Sequence, residues 1–303
     1  MDPQLKDFVL YCKSYSQDFL RLKRLLESVK QHNTDQIPFY ISTPASEKTL
    51  LEGVLGRSDY KWVADEEIVA ANPRADMVKY HEIPGRLSQQ IIKAEFWRLY
   101  LTKNYLCLDS DSKFIRNFKK SDLVTDDNVP YTVLHQNKEL FQMASNRGHE
   151  KVGRNLRVEA ERVKLLFERS GPNFYSAPSP FNWSAKVWQS LDQEYLQPRG
   201  ITIWDLITPE NPESLIYVEA LLKYRAIPVI AIEPLFRAYH YDWQYFLMKR
   251  LGETEVKLAQ HYFGVIYQSA WESELNFGSL QKSIFSRLLR SIKRFGRLLR
   301  SFV

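Results

Sequence analysis

The chain has 303 residues, 44% of them hydrophobic and 14% aromatic, which is enough for one large α/β domain and excludes a chain disordered throughout. Its formal net charge is +6, but the segment 280–303 alone carries +7 (Lys282, Arg287, Arg290, Lys293, Arg294, Arg297, Arg300) and no acid, so the rest is close to neutral at −1 and does not read as a nucleic-acid-binding core. The only cysteines, Cys12 and Cys107, lie in apolar runs and read as small core residues, which points to a reducing compartment and no disulfide framework.

The first element is Phe8-Val9-Leu10-Tyr11-Cys12, a continuous apolar run of the kind a central parallel strand needs. A polar loop, Lys13 to Asp18, follows it. Phe19, Leu20, Leu22, Leu25, Leu26 and Val29 then recur at helical spacing and end near His32-Asn33. Residues 37–42 read as a second strand, 46–55 as a second helix and 60–64 as a third strand, closed by Asp65-Glu66-Glu67. Strands alternating with helices at this spacing predict βαβ units and a doubly wound sheet. Residues 71–85 read as loop, and Ser88 as the N-cap of a helix over 89–103. No apolar run approaches the roughly 20 residues that span a bilayer, and the N-terminus lacks the layout of a signal peptide.

Tyr105-Leu106-Cys107-Leu108 then leads into Asp109-Ser110-Asp111. Two carboxylates at the end of a buried strand need a partner, because unpaired charge is costly to desolvate. A hard divalent cation such as Mg²⁺ or Mn²⁺ is one such partner; a solvated turn is the plain alternative. Beyond it, 113–118 and 131–134 read as strands, 119–128 as a charged loop, 137–170 as helical and 171–184 as loop. Ser184 caps a helix bearing Val187, Trp188 and Leu191. Residues 213–223 read as helix and 227–232 as strand. Glu219 is a carboxylate on an apolar helical face, which is unusual unless it is paired or functional. Glu213 and Asp205 rival it, and a surface glutamate beside Lys223 is the bland alternative. His240 and His261 are late histidines. Trp183, Trp188, Tyr241 and Trp243 could stack on sugars or could be core. In the tail, Ile284, Phe285, Leu288, Leu289, Ile292, Phe295, Leu298, Leu299 and Phe302 fall opposite the seven bases on a helix. Such a face suits an anionic membrane interface, or docking on the domain or on a second subunit. The division expected is a domain over 1–275 and a basic amphipathic helix over 276–303.

The opening strand and polar loop, the helix with Gln89-Gln90-Ile91-Ile92-Lys93, the run Tyr105 to Asp111 and the closing stretch Tyr262 to Trp271 together resemble glycosyltransferases of the GT-A fold. They look most like a bacterial family of uncharacterised GT-A-like proteins found among polysaccharide genes, over about residues 7–272. The resemblance implies a Rossmann-like mixed sheet flanked by helices. It implies Mn²⁺ or Mg²⁺ held by Asp109, Asp111 and His240, with Asp111 the direct ligand and Asp109 touching the metal through water, or the donor sugar or ribose. Lys13, Ser14, Gln90, Lys93 and Asp109 would face a nucleotide-diphosphate sugar, and Glu219 would deprotonate the acceptor. The function expected is transfer of a sugar to a glycan or lipid-linked glycan. Its setting would be cytoplasmic, on the inner membrane face, through the 280–303 helix and with no nucleic-acid partner. A catalytically inactive membrane-bound scaffold of the same fold is the alternative. An aspartate-nucleophile phosphatase fits poorly, since Lys113 stands where that motif needs Thr or Val.

Overall fold

The structure is a computed structural model that describes residues 5–57, 59–175, 180–269 and the single residue Ile292. The first half builds an α/β layer in chain order. Strand β1 (Lys6–Lys13) passes through a 3-10 turn into α1 (Phe19–His32), then β2 (Phe39–Thr43), α2 (Lys48–Leu55), β3 (Lys61–Ala64) and α3 (Asp65–Ala70). Two further helices, α4 (Met77–Glu82) and α5 (Gly85–Glu95), precede β4 (Thr102–Leu108), which turns into the short β5 (Ser112–Phe114). Then come β6 (Thr132–Val133), α6 (Lys138–Asn146), α7 (Glu150–Leu166) and β7 (Phe181–Ser184). The last third holds α8 (Ala185–Leu191), α9 (Ile203–Leu206), α10 (Glu213–Tyr224), β8 (Ala231–Ile232), β9 (Phe236–Tyr239), α11 (Asp242–Arg250), α12 (Glu255–Leu258) and β10 (Gly264–Tyr267).

The main sheet has the order β3-β2-β1-β4-β7. Its first four strands are parallel and β7 is antiparallel to β4. The sheet is therefore mixed, where strand–helix alternation alone predicts a purely parallel one. Side chains alternate across it as a pleated strand requires. Val9, Tyr11, Tyr105, Cys107 and Trp183 point into a core with residues of α5, α8 and α10, while Phe8, Leu10, Cys12, Leu106 and Leu108 point into a second core with residues of α1 and α2. Helices thus cover both faces, and both faces of β1 and β4 are dry, which is why those strands read as continuous apolar runs. A small sheet, β5-β10-β9, packs with α11 and α12 around Tyr239, Phe246, Val265 and Tyr267.

Several sequence expectations shift. The stretch 71–85 contains α4, whose N-terminus is capped by Asp76 accepting from the amides of Val78 and Lys79 at 2.9 and 3.1 Å. The next helix starts after Pro84, three residues before Ser88, and has ended by Glu95, with a 3-10 turn to Leu99. Ser88 caps nothing; its hydroxyl donates to the carbonyl of Gly85. The stretch 171–184 hides β7, masked by its Pro, Asn and Ser content, although Phe181 and Trp183 alternate with Asn182 and Ser184. The strand over 227–232 shrinks to Ala231–Ile232. The 276–303 helix lies outside the described residues, Ile292 apart. No helix among the described residues is long and apolar enough to cross a membrane.

Gly264 sits where β10 passes closest to its neighbours. A Cβ there would meet the Phe236 ring at 2.2 Å and the Lys113 carbonyl oxygen at 2.5 Å. Backbone cannot move aside as a flexible side chain can, so Gly264→Ala is expected to destabilise by about 2–3 kcal/mol, read as a lower midpoint in urea unfolding. An unchanged midpoint would mean that the three-stranded sheet is looser than described.

Candidate functional site

Strand order reverses at β1. The chain leaves β1 through α1 toward β2 and β3 on one side, then returns through α5 to β4 on the other. The helices on either side of this point lie on opposite faces, the arrangement in which open α/β sheets bind ligands beyond the carboxyl ends of their strands, here those of β1 and β4. Lys13 ends β1, and Asp109 immediately follows β4.

Lys93 is the centre of the charge arrangement. It projects from α5 and is only 3% exposed. Its Nζ lies 2.5 Å from an Asp109 oxygen and 3.4 Å from Oε1 of Glu213, the first residue of α10. Burial works against its ammonium, but Asp109 and then Glu213 outweigh that and hold its pKa well above the ordinary lysine value. Glu213 is pushed up by burial, drawn down by Lys93 and raised again by Asp109, with a net upward shift. Gln90, one turn before Lys93, accepts from the Glu213 backbone amide at 3.3 Å, so α5 and α10 are joined through both residues.

Asp109 turns the chain, its carbonyl accepting from the Ser112 amide at 3.0 Å. Asp111 is buried and bound to the closing stretch: its carbonyl accepts from the Tyr267 amide at 3.3 Å, and its Oδ2 from the Ser269 amide at 2.8 Å. Between the two acids, Ser110 hydrogen-bonds Asp18, which also pairs with Arg21. On the β1 side Lys13 donates to the Ser14 carbonyl at 2.6 Å and pairs with Asp65 at 2.8 Å. Burial lifts the Asp65 carboxyl to about 6 against the pull of Lys13. The structure therefore brings together Lys13, Ser14, Gln90, Lys93, Asp109 and Asp111 at one end of the sheet. Asp18, Asp65 and Ser269 join them unforeseen. For Asp65 a signal existed: it is the first acid past a strand end, the same place Asp109 holds after β4.

Two expected members lie elsewhere. Glu219 is 1% exposed and held bidentately by Arg169, whose Nη2 donates to Oε1 at 2.8 Å and whose Nε donates to Oε2. Arg169 also donates to the carbonyls of Ser170 and Pro172. The pair fastens α10 to the turn after α7, and the late acid at the crevice is Glu213. Its rival Asp205 pairs with Lys79 and caps α9 through Thr202. His240, at the end of β9, donates its backbone amide to Gln244 and faces His135 and Arg237 in a second crevice, which His261 also lines. Among the described residues no group of three or more His, Cys, Asp and Glu is gathered to hold a metal ion. Trp183 and Trp188 are core, whereas Tyr241 and Trp243 are half-buried.

Burial, then the nearby His135 and Arg237, push His240 down to about 4. A depressed histidine binds fewer protons folded than unfolded. Its contribution is complete above the unfolded value of about 6.5 and is lost as pH falls from there toward 4. The loss is on the order of 3 kcal/mol. His240→Gln is expected to flatten that stretch of the stability–pH curve, measured by urea unfolding across the range; parallel curves for the two proteins would place His240 in contact with water. Asp65 acts in the opposite sense. Its raised value makes it stabilising below about 3.8, an effect lost as pH rises through 6, so only the difference between the two proteins isolates the histidine.

A family of unknown function, DUF6492, matches residues 8–169, more than half of the chain. The matched stretch holds Lys13, Ser14, Asp65, Gln90, Lys93, Asp109 and Asp111, and stops short of Glu213. No curated protein matches the sequence.

Proposed function

We propose that this chain, which belongs to the DUF6492 family, is a metal-dependent glycosyltransferase of the GT-A fold. It would transfer a sugar from a nucleoside-diphosphate donor to a glycan or lipid-linked glycan. The observation that carries the reading is the buried Lys93 ammonium set between Asp109 and Glu213 at the point where strand order reverses. One fixed cation among several carboxylates, at the open end of the sheet, is a site made for a charged ligand rather than for packing.

On this reading a divalent cation would be held by two carboxylates alone, Asp109 and Asp111, which are now partnered by Lys93 and the Ser269 amide. Asp109 and Asp111 supply two hard oxygen donors, and the Asp109 side chain is about a third exposed. Mg²⁺ and Mn²⁺ commonly take one or two carboxylates and complete their shell with substrate phosphates and water, so a third protein ligand is not required. When bound, the metal would neutralise charge on the departing diphosphate. Lys93 supplies a second positive charge, pre-oriented and dry, where it strengthens as the leaving group gains charge. Glu213 and Gln90 hold α10 against α5 and so keep Lys93 aimed. Lys13 and Ser14, at the end of β1, would lie toward the nucleoside. The test is nucleotide release from a panel of sugar nucleotides with Mn²⁺, with Mg²⁺ and with chelator. One donor cleaved only with metal supports the reading; no metal-dependent cleavage or binding of any donor overturns it.

A further inference from the structure

An open pocket of about 380 Å³, within the size range of ligand sites, lies between α6, α7 and the stretch that follows α7. Neither Lys93 nor Asp109 nor Asp111 lines it. Three cations do: Lys138 from the start of α6, and Arg157 and Lys164 from α7. No carboxylate is among its described lining residues.

The wall is built before any ligand arrives. Lys164 Nζ donates to the Gly171 carbonyl at 3.3 Å, and Arg169 Nη2 to the Pro172 carbonyl at 2.9 Å. Arg169 also holds Glu219, so this turn is tied to α7 and α10 at once. Gly171 turns the chain at φ 96°, a conformation that glycine adopts without strain. The Tyr175 amide donates to the His135 carbonyl at 2.8 Å, and its ring meets the edge of Phe141 with centroids 5.0 Å apart. The Arg157 guanidinium lies over the Phe141 ring, 4.9 Å from its centroid. Groups held in this way lose little freedom when a ligand binds.

The charge is left open by the neighbouring acids. Glu139, next to Lys138 in the chain, is taken by Arg237 at 2.7 and 3.1 Å. Glu161 pairs with Lys164 at 2.9 Å and accepts from Asn173 at 2.7 Å. Glu161 therefore offsets Lys164, whereas Lys138 and Arg157 form no ion pair among the described residues. Like charges gathered at one hollow repel each other, and a cleft of one sign concentrates ions of the other. A phosphate monoester carries close to two negative charges near pH 7 and three acceptor oxygens, which matches two uncompensated cations better than a carboxylate does. The planar fork of an arginine suits phosphate oxygens. Phe141, half-buried in the same wall, offers an apolar surface to the organic part.

We propose that this pocket binds an organic phosphate monoester, with Arg157 and Lys138 as its principal cations. The site is separate from the Lys93 centre and does not rest on the glycosyltransferase reading. The same group occurs on soluble sugar phosphates and on lipid headgroups, and the test separates these sources.

Calorimetry on the full chain, at low salt and without metal, compares glucose 6-phosphate, glycerol 3-phosphate and glucose. At least one of the two phosphates is expected to bind about tenfold more tightly than glucose, or better. A preference for glucose 6-phosphate assigns a sugar phosphate, and a preference for glycerol 3-phosphate a lipid headgroup; equal affinity places recognition in the phosphate alone. Arg157→Gln is expected to weaken binding about tenfold, and Arg157→Lys, which keeps the charge, by less. Lys138→Gln serves as the second variant, with a loss similar to that of Arg157→Gln. Both side chains are exposed, so the variants should fold, as urea unfolding would verify. Binding at the Lys93 centre or along the basic 280–303 segment would survive both glutamine substitutions. No binding of either phosphate, equal affinity for glucose, or unchanged affinity in both glutamine variants would each overturn the proposal. Donor cleavage is assayed separately, so the two readings fail independently.

Discussion

Lys93→Met is expected to cut donor cleavage sharply and to destabilise the fold together. The substitution keeps the length of the side chain and removes its charge. The partly exposed Asp109 and the buried Glu213 would then be left with no cation between them. Breaking a buried ion pair by removing one partner costs about 3–5 kcal/mol, part of which protonation of Glu213 recovers. Turnover should fall by about 10²–10³, the loss typical when one preorganised stabiliser of developing negative charge is removed. The double variant Lys93→Met/Glu213→Gln separates the two effects: stability should return toward the wild-type value, because the uncompensated acid is gone, while cleavage should stay lost. Recovery of cleavage in the double variant would show that Lys93 serves only to neutralise Glu213.

Glu213 and Glu219 lie on one helix and are both buried, yet their substitutions should have opposite consequences. Glu213→Gln keeps the side-chain shape and removes a carboxylate that burial already disfavours, so stability should change little. Lys93 loses one of its two carboxylate anchors, and misplacement of about 1 Å can cost about 10²-fold in rate. Glu219→Ala leaves the Arg169 guanidinium, itself only 11% exposed, without its charged partner, at a cost of about 3–5 kcal/mol. The fraction that remains folded should cleave donor at the wild-type rate. Urea unfolding and initial rates on the same preparations distinguish these outcomes. A fully stable Glu219→Ala protein with no activity would return the catalytic role to Glu219.

The contrast between these two glutamates also shows what the sequence could carry. Both are acids on the same apolar helix, and nothing in their spacing reveals that Arg169, fifty residues earlier, reaches one of them. Pairing across the fold is a tertiary fact. Asp109 and Asp111 were legible because a long apolar run ended on them, and desolvation alone makes that noteworthy. Lys93 was expected at the site through the family resemblance, but its burial between two carboxylates was not legible. The central strands β1, β2 and β4 were clear because burial on both faces enforces an unbroken apolar run. β7 was not, since Phe181-Asn182-Trp183-Ser184 is a short strand whose alternation is drowned by neighbouring turn residues. The helix at 77–82 was hidden for a related reason: its stability comes from the Asp76 cap and from packing, not from a long periodic pattern. His240 read as a candidate ligand because it follows a strand, but its surroundings belong to a different crevice.

The most direct measurement compares wild type with Asp111→Ala for nucleotide release from sugar nucleotides, with Mn²⁺, with Mg²⁺ and with chelator. Cleavage of one donor that requires metal and disappears in the variant is the expected result. Cleavage unaffected by chelator and by loss of Asp111, or no release from any donor, would contradict a metal-dependent glycosyltransferase centred on Asp109, Asp111 and Lys93.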